Sequence, residues 1–238
     1  MRNKMKKILV LSLTFILFIS NTMISQAATQ VQNVKEQYLS IQNSLTAQDF
    51  ITAGNLLSSS DIENYNEKEL DLYVMKLIVE NHDDSNVFLP NGNTEPPTEY
   101  LGLNPAERAL AVAHPFEATQ YYISSQVAIN YTMQYFGYSG TYDPSDAFRH
   151  ACWNAVLTLR IGSSRTKIWT DAHETTSYGI DKEMDLFNND LGRRLASDVD
   201  GAGYPEYNTK PLVEKVYNAV KLGMGRIIVN GKLHISAF

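Results

Sequence analysis

A single cysteine, Cys152, serves all 238 residues, so no internal disulfide can brace this chain. Whatever fold it adopts is held by buried side chains alone. The constraint bites because the N-terminus predicts export, and small exported domains commonly rely on disulfides. Arg2, Lys4, Lys6 and Lys7 precede an apolar run from Ile8 to Ser20, followed by Ser25-Gln26-Ala27. That is the layout of a cleaved signal peptide with a small-x-small cleavage site. The run of 13 residues falls short of the ~20 that a spanning helix needs. Residues 1–27 are therefore expected to be removed. The mature chain, secreted or associated with the cell wall, has no stable membrane span. About 211 residues remain, enough to bury a core without cross-links.

Removal of the leader sharpens the charge. Four of the 20 basic residues and none of the 26 acidic ones precede Ala28, leaving 16 against 26, a net charge of −10. This argues against a nucleic-acid surface, which needs clustered Lys and Arg, and against adhesion to anionic lipid. It leaves room for a cationic substrate or a divalent ion.

The periodicity is helical throughout. Val34, Tyr38, Ile41 and Leu45 recur at helical spacing, and Phe50–Leu57 and Leu70–Ile78 carry two further apolar runs. Residues 28–90 thus read as an N-terminal helical region. Residues 83–99 carry three prolines, a glycine and several Asn and Asp, placing a linker over 91–102. From 103 to 238 the helices are punctuated clearly. Asn104-Pro105 with Glu107 forms a capping box. His114-Pro115 breaks the first helix, and Gly137 and Gly162 stop the next two. Asn230-Gly231 between two apolar strands signals a β-hairpin with a type I′ turn. The expected fold is mostly α, a multi-helix bundle-like domain with a small C-terminal β-hairpin.

Three stretches stand out chemically. In DAFRHACWNA (146–155), Asp146, His150 and Asn154 fall one turn apart on one helical face, with Trp153 flanking. Asp146 in the first turn suits the helix dipole and can pair with Arg149. Cys152, between Phe148 and Val156, reads as packing. In DAHE (171–174), His173 and Glu174 are neighbours and point about 100° apart, so both can face one site only if the helix ends there, as Thr175, Thr176, Ser177 and Gly179 suggest that it does. In MDLFNNDLGRR (184–194), Asp185 and Asn189 share a stripe with Gly192 or Arg193, and Asn188 lies beside it. Two adjacent Asn in a helix interior oppose local propensity, and such violations mark function. The HExxH zinc signature is absent, since position 177 is Ser. No Gly-x-Ser-x-Gly elbow occurs. DVDGAG (198–203) lacks the terminal Glu of a calcium loop and reads as a turn.

These three motifs, in this order, together with the upstream NPAERALAVAHP, resemble a family of uncharacterised bacterial domains found in secreted Gram-positive proteins and at the C-termini of toxin-like proteins. The resemblance spans residues 103–238. It implies that Arg149, His150, Trp153, Asn154, His173, Glu174, Asp185, Asn188, Asn189 and Arg193 are signature residues, and it names no reaction.

The residues support three readings. In the first, the domain is hydrolase-like, with His150 and Glu174 as acid–base groups or ligands and His173 and Asp185 as orienting or ligating groups. Arg149, Trp153, Asn154, Asn188, Asn189 and Arg193 then hold an extracellular or cell-envelope substrate. A divalent metal ion such as zinc suits the same His and carboxylate set. In the second, the motifs are a buried network tying helices together in a structural or partner-binding protein. The third, an antibacterial toxin with an immunity protein as partner, comes from the resemblance alone. The leader makes one direct prediction. Mass spectrometry of the protein recovered from the medium should find Ala28 as its first residue, and retention of the basic segment would overturn the export reading.

Overall fold

The computed structural model describes residues 23, 25–57, 65–82, 103–197 and 209–238. Most of the expected signal peptide, the 91–102 linker and the 198–203 turn lie outside the described residues. The chain forms α1 (residues 25–40), α2 (Ala47–Leu56), α3 (Glu67–Asn81), α4 (Pro105–Ala113) and α5 (Pro115–Phe136). These are followed by α6 (Pro144–Ile161), α7 (Ser163–His173), α8 (Gly179–Ser197) and α9 (Thr209–Lys221). An antiparallel hairpin of β1 (Arg226–Val229) and β2 (Lys232–Ile235) follows. The mostly helical architecture with its hairpin is the one the periodicity implied.

Local chemistry sets the boundaries. Asn66 and Asn104 accept hydrogen bonds from the first free amides of α3 and α4, and Glu69 and Glu107 answer through the cap amides. His114 alone separates α4 from α5. Gly137 ends α5 at φ 75°, a left-handed conformation that favours glycine. The cap of α6 is Asp143, which accepts from Ser145 N at 2.8 Å and Asp146 N at 3.1 Å. Asp146 is thereby released from capping and buried. Asn230 (φ 51°) and Gly231 (φ 72°) both adopt positive φ, which a type I′ turn requires.

α6 is the axis of the molecule. Every residue from Ser145 to Leu159 is buried, and α5, α7, α8, α9 and β1 pack around it. Cys152 is fully enclosed. The face carrying Asp146, His150 and Asn154 therefore looks at α8 rather than at water. The N-terminal helices share this core. Tyr38 on α1 donates its hydroxyl to Ala111 O at 3.0 Å. Arg108 on α4 donates to the carbonyls of Gln42, Asn43 and Leu45, and Asp71 on α3 accepts from Phe116 N, an open amide at the start of α5. One apolar cluster runs from Tyr38 through Phe50, Tyr121 and Trp169 to Val220. No helix among the described residues is long and apolar enough to cross a membrane.

α8 approaches α6 closely because position 192 has no side chain. A Cβ on Gly192 would lie 2.0 Å from the carbonyl oxygen of Ala151, and backbone cannot yield as a side-chain tip can. One turn earlier on the same helix, the amide of Asn188 clamps the hairpin. It accepts from Arg226 N and donates to Arg226 O, both at 2.9 Å. Urea denaturation should therefore find Gly192→Ala destabilised by about 1–3 kcal/mol, the usual cost of overpacking. Unchanged stability would mean that the two helices do not meet this tightly.

Candidate functional site

Three elements bring polar side chains to the α6–α8 crossing. α6 supplies Asp146, His150 and Asn154 at one-turn intervals, and α8 answers with Asp185, Asn189 and Arg193. α7 ends just where Glu174 can turn inward.

The upper half is ionisable. His150 Nε2 lies 3.4 Å from Asp146 Oδ1 and 3.4 Å from Asp185 Oδ1, and its Nδ1 lies 4.0 Å from Glu174 Oε1. The Arg149 guanidinium bonds Asp146 Oδ1. Tyr142 N donates to Asp146 Oδ2 at 2.6 Å. It does so from a left-handed backbone at φ 69°, a conformation that costs a tyrosine energy. His150, Asp146 and Glu174 are buried, while the Asp185 side chain keeps 15% of its exposure and marks the open edge. Among the described residues, His150 Nδ1 and Asp185 Oδ1 have no hydrogen-bond partner.

Electrostatics separates the three titratable members. Burial pulls the His150 imidazole down, but the charges of Asp185 and Asp146 outweigh it and raise the pKa to about 9. Burial raises Asp185 to about 6, against the pull of His150. Burial also pushes Asp146 upward, yet its bonds to His150, Arg149 and Tyr142 N hold it below the ordinary carboxylate value. One ligand atom from each of His150, Glu174 and Asp185 lies within 4.8 Å of the others, so these three could hold a cation.

The lower half is a relay of amides. Asn154 Nδ2 donates to Asn189 Oδ1 at 2.6 Å and to His150 O at 3.1 Å. Its Oδ1 accepts from Arg193 at 2.9 Å and from Thr170 at 3.1 Å. Asn189 Nδ2 then donates to Glu174 Oε1 at 3.2 Å, and Ser177 donates to Oε2 at 2.8 Å. Glu174 is thus fixed from both oxygens by neutral donors.

The expected site residues fall into separate groups. Arg149, His150, Asn154, Glu174, Asp185, Asn189 and Arg193 share the crossing. The helix ends at His173 as expected, yet His173 turns away from the crossing and lies 2.8 Å from Glu107 through Nδ1. Trp153 packs edge-on to His173 at 5.1 Å and donates to Tyr121 O. Asn188 serves the hairpin. Glu107, Tyr142, Thr170 and Ser177 were not singled out from the sequence. Glu107 was visible only as a capping partner. It also accepts from Tyr121 OH at 2.5 Å. The left-handed Tyr142 carries no sequence signature at all.

Residues 108–223 match the family DUF6973, described as a domain of unknown function. The comparisons with curated proteins and with solved structures found no match. The DUF6973 stretch contains the whole ionisable cluster and the whole amide relay. Glu107 stands one residue before it, and Arg226, which Asn188 clamps, stands just beyond.

Glu107 makes a testable contribution. Burial raises its pKa, but His173 and Tyr121 outweigh that and hold it below 4.5. A carboxylate lowered on folding stabilises above its unfolded value and loses that contribution as pH falls through the folded one. Melting curves at successively lower pH should show Glu107→Gln less stable than wild type near neutrality, with the gap closing below roughly pH 4.5. A gap that stays constant would mean that the carboxylate charge plays no part.

Proposed function

We propose that the 103–238 segment is an exported, hydrolase-like domain whose reaction centre is the His150–Glu174–Asp185 cluster, acting on an extracellular or cell-envelope substrate. The observation that carries this reading is the contrast between the two halves of the crossing. A polar network kept for stability satisfies its members, as the amide relay does. The ionisable half leaves His150 Nδ1 and Asp185 Oδ1 without a hydrogen bond. An orphaned buried polar atom costs about 1–3 kcal/mol, and such costs gather at working sites. Hydrolysis splits a bond with water's hydroxyl going to one fragment and its proton to the other. An imidazole between two carboxylates supplies the stations through which that proton passes. Asp185, at the open edge, faces the substrate, Arg149 holds Asp146 beside it, and Asn154, Asn189 and Arg193 position Glu174 from behind. The leader supports an envelope polymer or lipid as the target.

A second reading, a non-enzymatic protein held by this network, is favoured by one observation. Asn154 and Asn189 are fully buried and their amides are spent on internal partners. The two readings part on variants. Incubated with peptidoglycan and with phospholipid vesicles, the exported protein should release product from one of them. Asp185→Asn and His150→Gln should both lower that rate more than a hundredfold, Asp185→Asn with little change in Tm. Asn154→Ala, which takes one partner each from Arg193, Thr170 and Asn189, should cost about 2 kcal/mol, or roughly 4–8 °C in Tm. No release from either substrate, with Asp185→Asn as destabilising as Asn154→Ala, would overturn the enzymatic reading in favour of the structural one.

A further inference from the structure

We propose that His150, Glu174 and Asp185 together bind one divalent transition-metal cation, with Asp146 and Asn189 as the groups that aim its ligands. The inference deepens the hydrolase reading by naming an ion for the same site.

Spacing is the first support. Groups that bond one another through a charge-assisted hydrogen bond close to about 2.7–2.9 Å. His150 Nδ1 stands off from Glu174 Oε1 at 4.0 Å, and Asp185 Oδ1 lies 3.4 Å from Nε2 of the same ring. Ligands at ~2.1 Å around a shared tetrahedral ion stand about 3.4 Å apart. One atom from each of the three residues fits within 4.8 Å of the others, so closure of Glu174 and a turn of the Asp185 carboxylate toward Nδ1 bring all three onto one ion. Donor chemistry is the second support. One imidazole nitrogen and two carboxylate oxygens match zinc, manganese or iron better than calcium or magnesium, which prefer oxygen alone.

The surroundings match what ligands require. A metal-bound His donates its other ring N–H to a carboxylate. Asp146 occupies that place, 3.4 Å from His150 Nε2, and is locked there by Arg149 and by Tyr142 N. The nitrogen left open is Nδ1, which has no hydrogen-bond partner on a residue only 5% exposed. Glu174 is oriented by Asn189 and Ser177, neutral donors that leave its charge for the ion. Asp185, similarly without a hydrogen bond at Oδ1, is the ligand with the greatest side-chain exposure, 15%. Three protein ligands leave coordination positions open, the arrangement of reactive rather than structural metal sites.

The test uses the full exported protein, stripped with a chelator and dialysed. Calorimetric titration with Zn²⁺ should give one ion per chain with proton release, because the imidazole must bind in its neutral form. Co²⁺ substitution should give the visible absorption of a nitrogen-ligated ion, which needs no variant. Asp185→Asn should weaken affinity at least a hundredfold. Ser177→Ala, which removes the hydroxyl that orients Glu174 Oε2, should weaken it about tenfold at unchanged stoichiometry. Absent stoichiometric binding, absent Co²⁺ absorption, or Asp185→Asn binding as wild type would each overturn the proposal. The two readings fail separately. One-to-one binding without hydrolysis by the loaded protein upholds the ion site and sinks the hydrolase. Hydrolysis that persists undiminished in stripped protein upholds the hydrolase and sinks the ion site.

Discussion

The hydrogen bond between Asn154 and Asn189, 2.6 Å long and sealed from water, is the link on which the rest of the crossing depends. Amides are suited to this position because each both donates and accepts, so a chain of them can pass through a core without leaving a charge behind. Asn154 gathers Thr170 and Arg193 on one side and hands a fixed geometry to Asn189, which hands it to Glu174. Three helices are registered against one another by a handful of polar atoms. The bond exists only because Gly192 lets α8 settle against the backbone at Ala151. Packing and polarity are therefore one design: the missing side chain sets the distance, and the paired amides set the register.

Above that link the character changes from neutral to charged. Asp146, Asp185 and Glu174 are set against Arg149 and His150 in a space with little water. Charges placed there interact strongly, which is why His150 and Asp185 are both raised while Asp146 is lowered. Asp146 is saturated by its neighbours and acts as a fixed negative post. Asp185, at the rim, is the member whose state responds most readily to what arrives from outside. A second buried carboxylate, Glu107, is tied off by His173 and Tyr121 and belongs to the packing of α4 against α5 and α7.

Much of this was legible in the sequence, for identifiable reasons. Helix starts and stops were readable because Asn104, Pro105, Gly137 and Gly162 impose them through backbone geometry. The hairpin turn was readable because Asn-Gly tolerates positive φ at both positions. The partnership of His150 with Asn154 followed from helical spacing, whereas His173, expected to join Glu174 because the helix ends there, is instead held by Glu107. What spacing could not supply was the third dimension. An i, i+4 stripe says which residues share a face, but it does not say whether that face meets water or another helix. Asp146 therefore read as a first-turn carboxylate that could be a mere cap, yet it is a buried anchor. The two adjacent asparagines announced an anomaly, but only the fold shows that they serve opposite sides of α8, one the hairpin and one the cluster.

That division of labour on α8 has a consequence for how the molecule comes together. Asn188 fastens a backbone segment 38 residues downstream, while its neighbour Asn189 helps to aim Glu174. A chain made from its N-terminus produces α8 well before the strand that secures it. Until β1 arrives, one face of the helix lacks its partner, and the register that Asn189 transmits has less to hold it. Fastening of the hairpin to α8 is therefore a late event in the chain's history, reached by a contact of long sequence separation rather than by local helix formation.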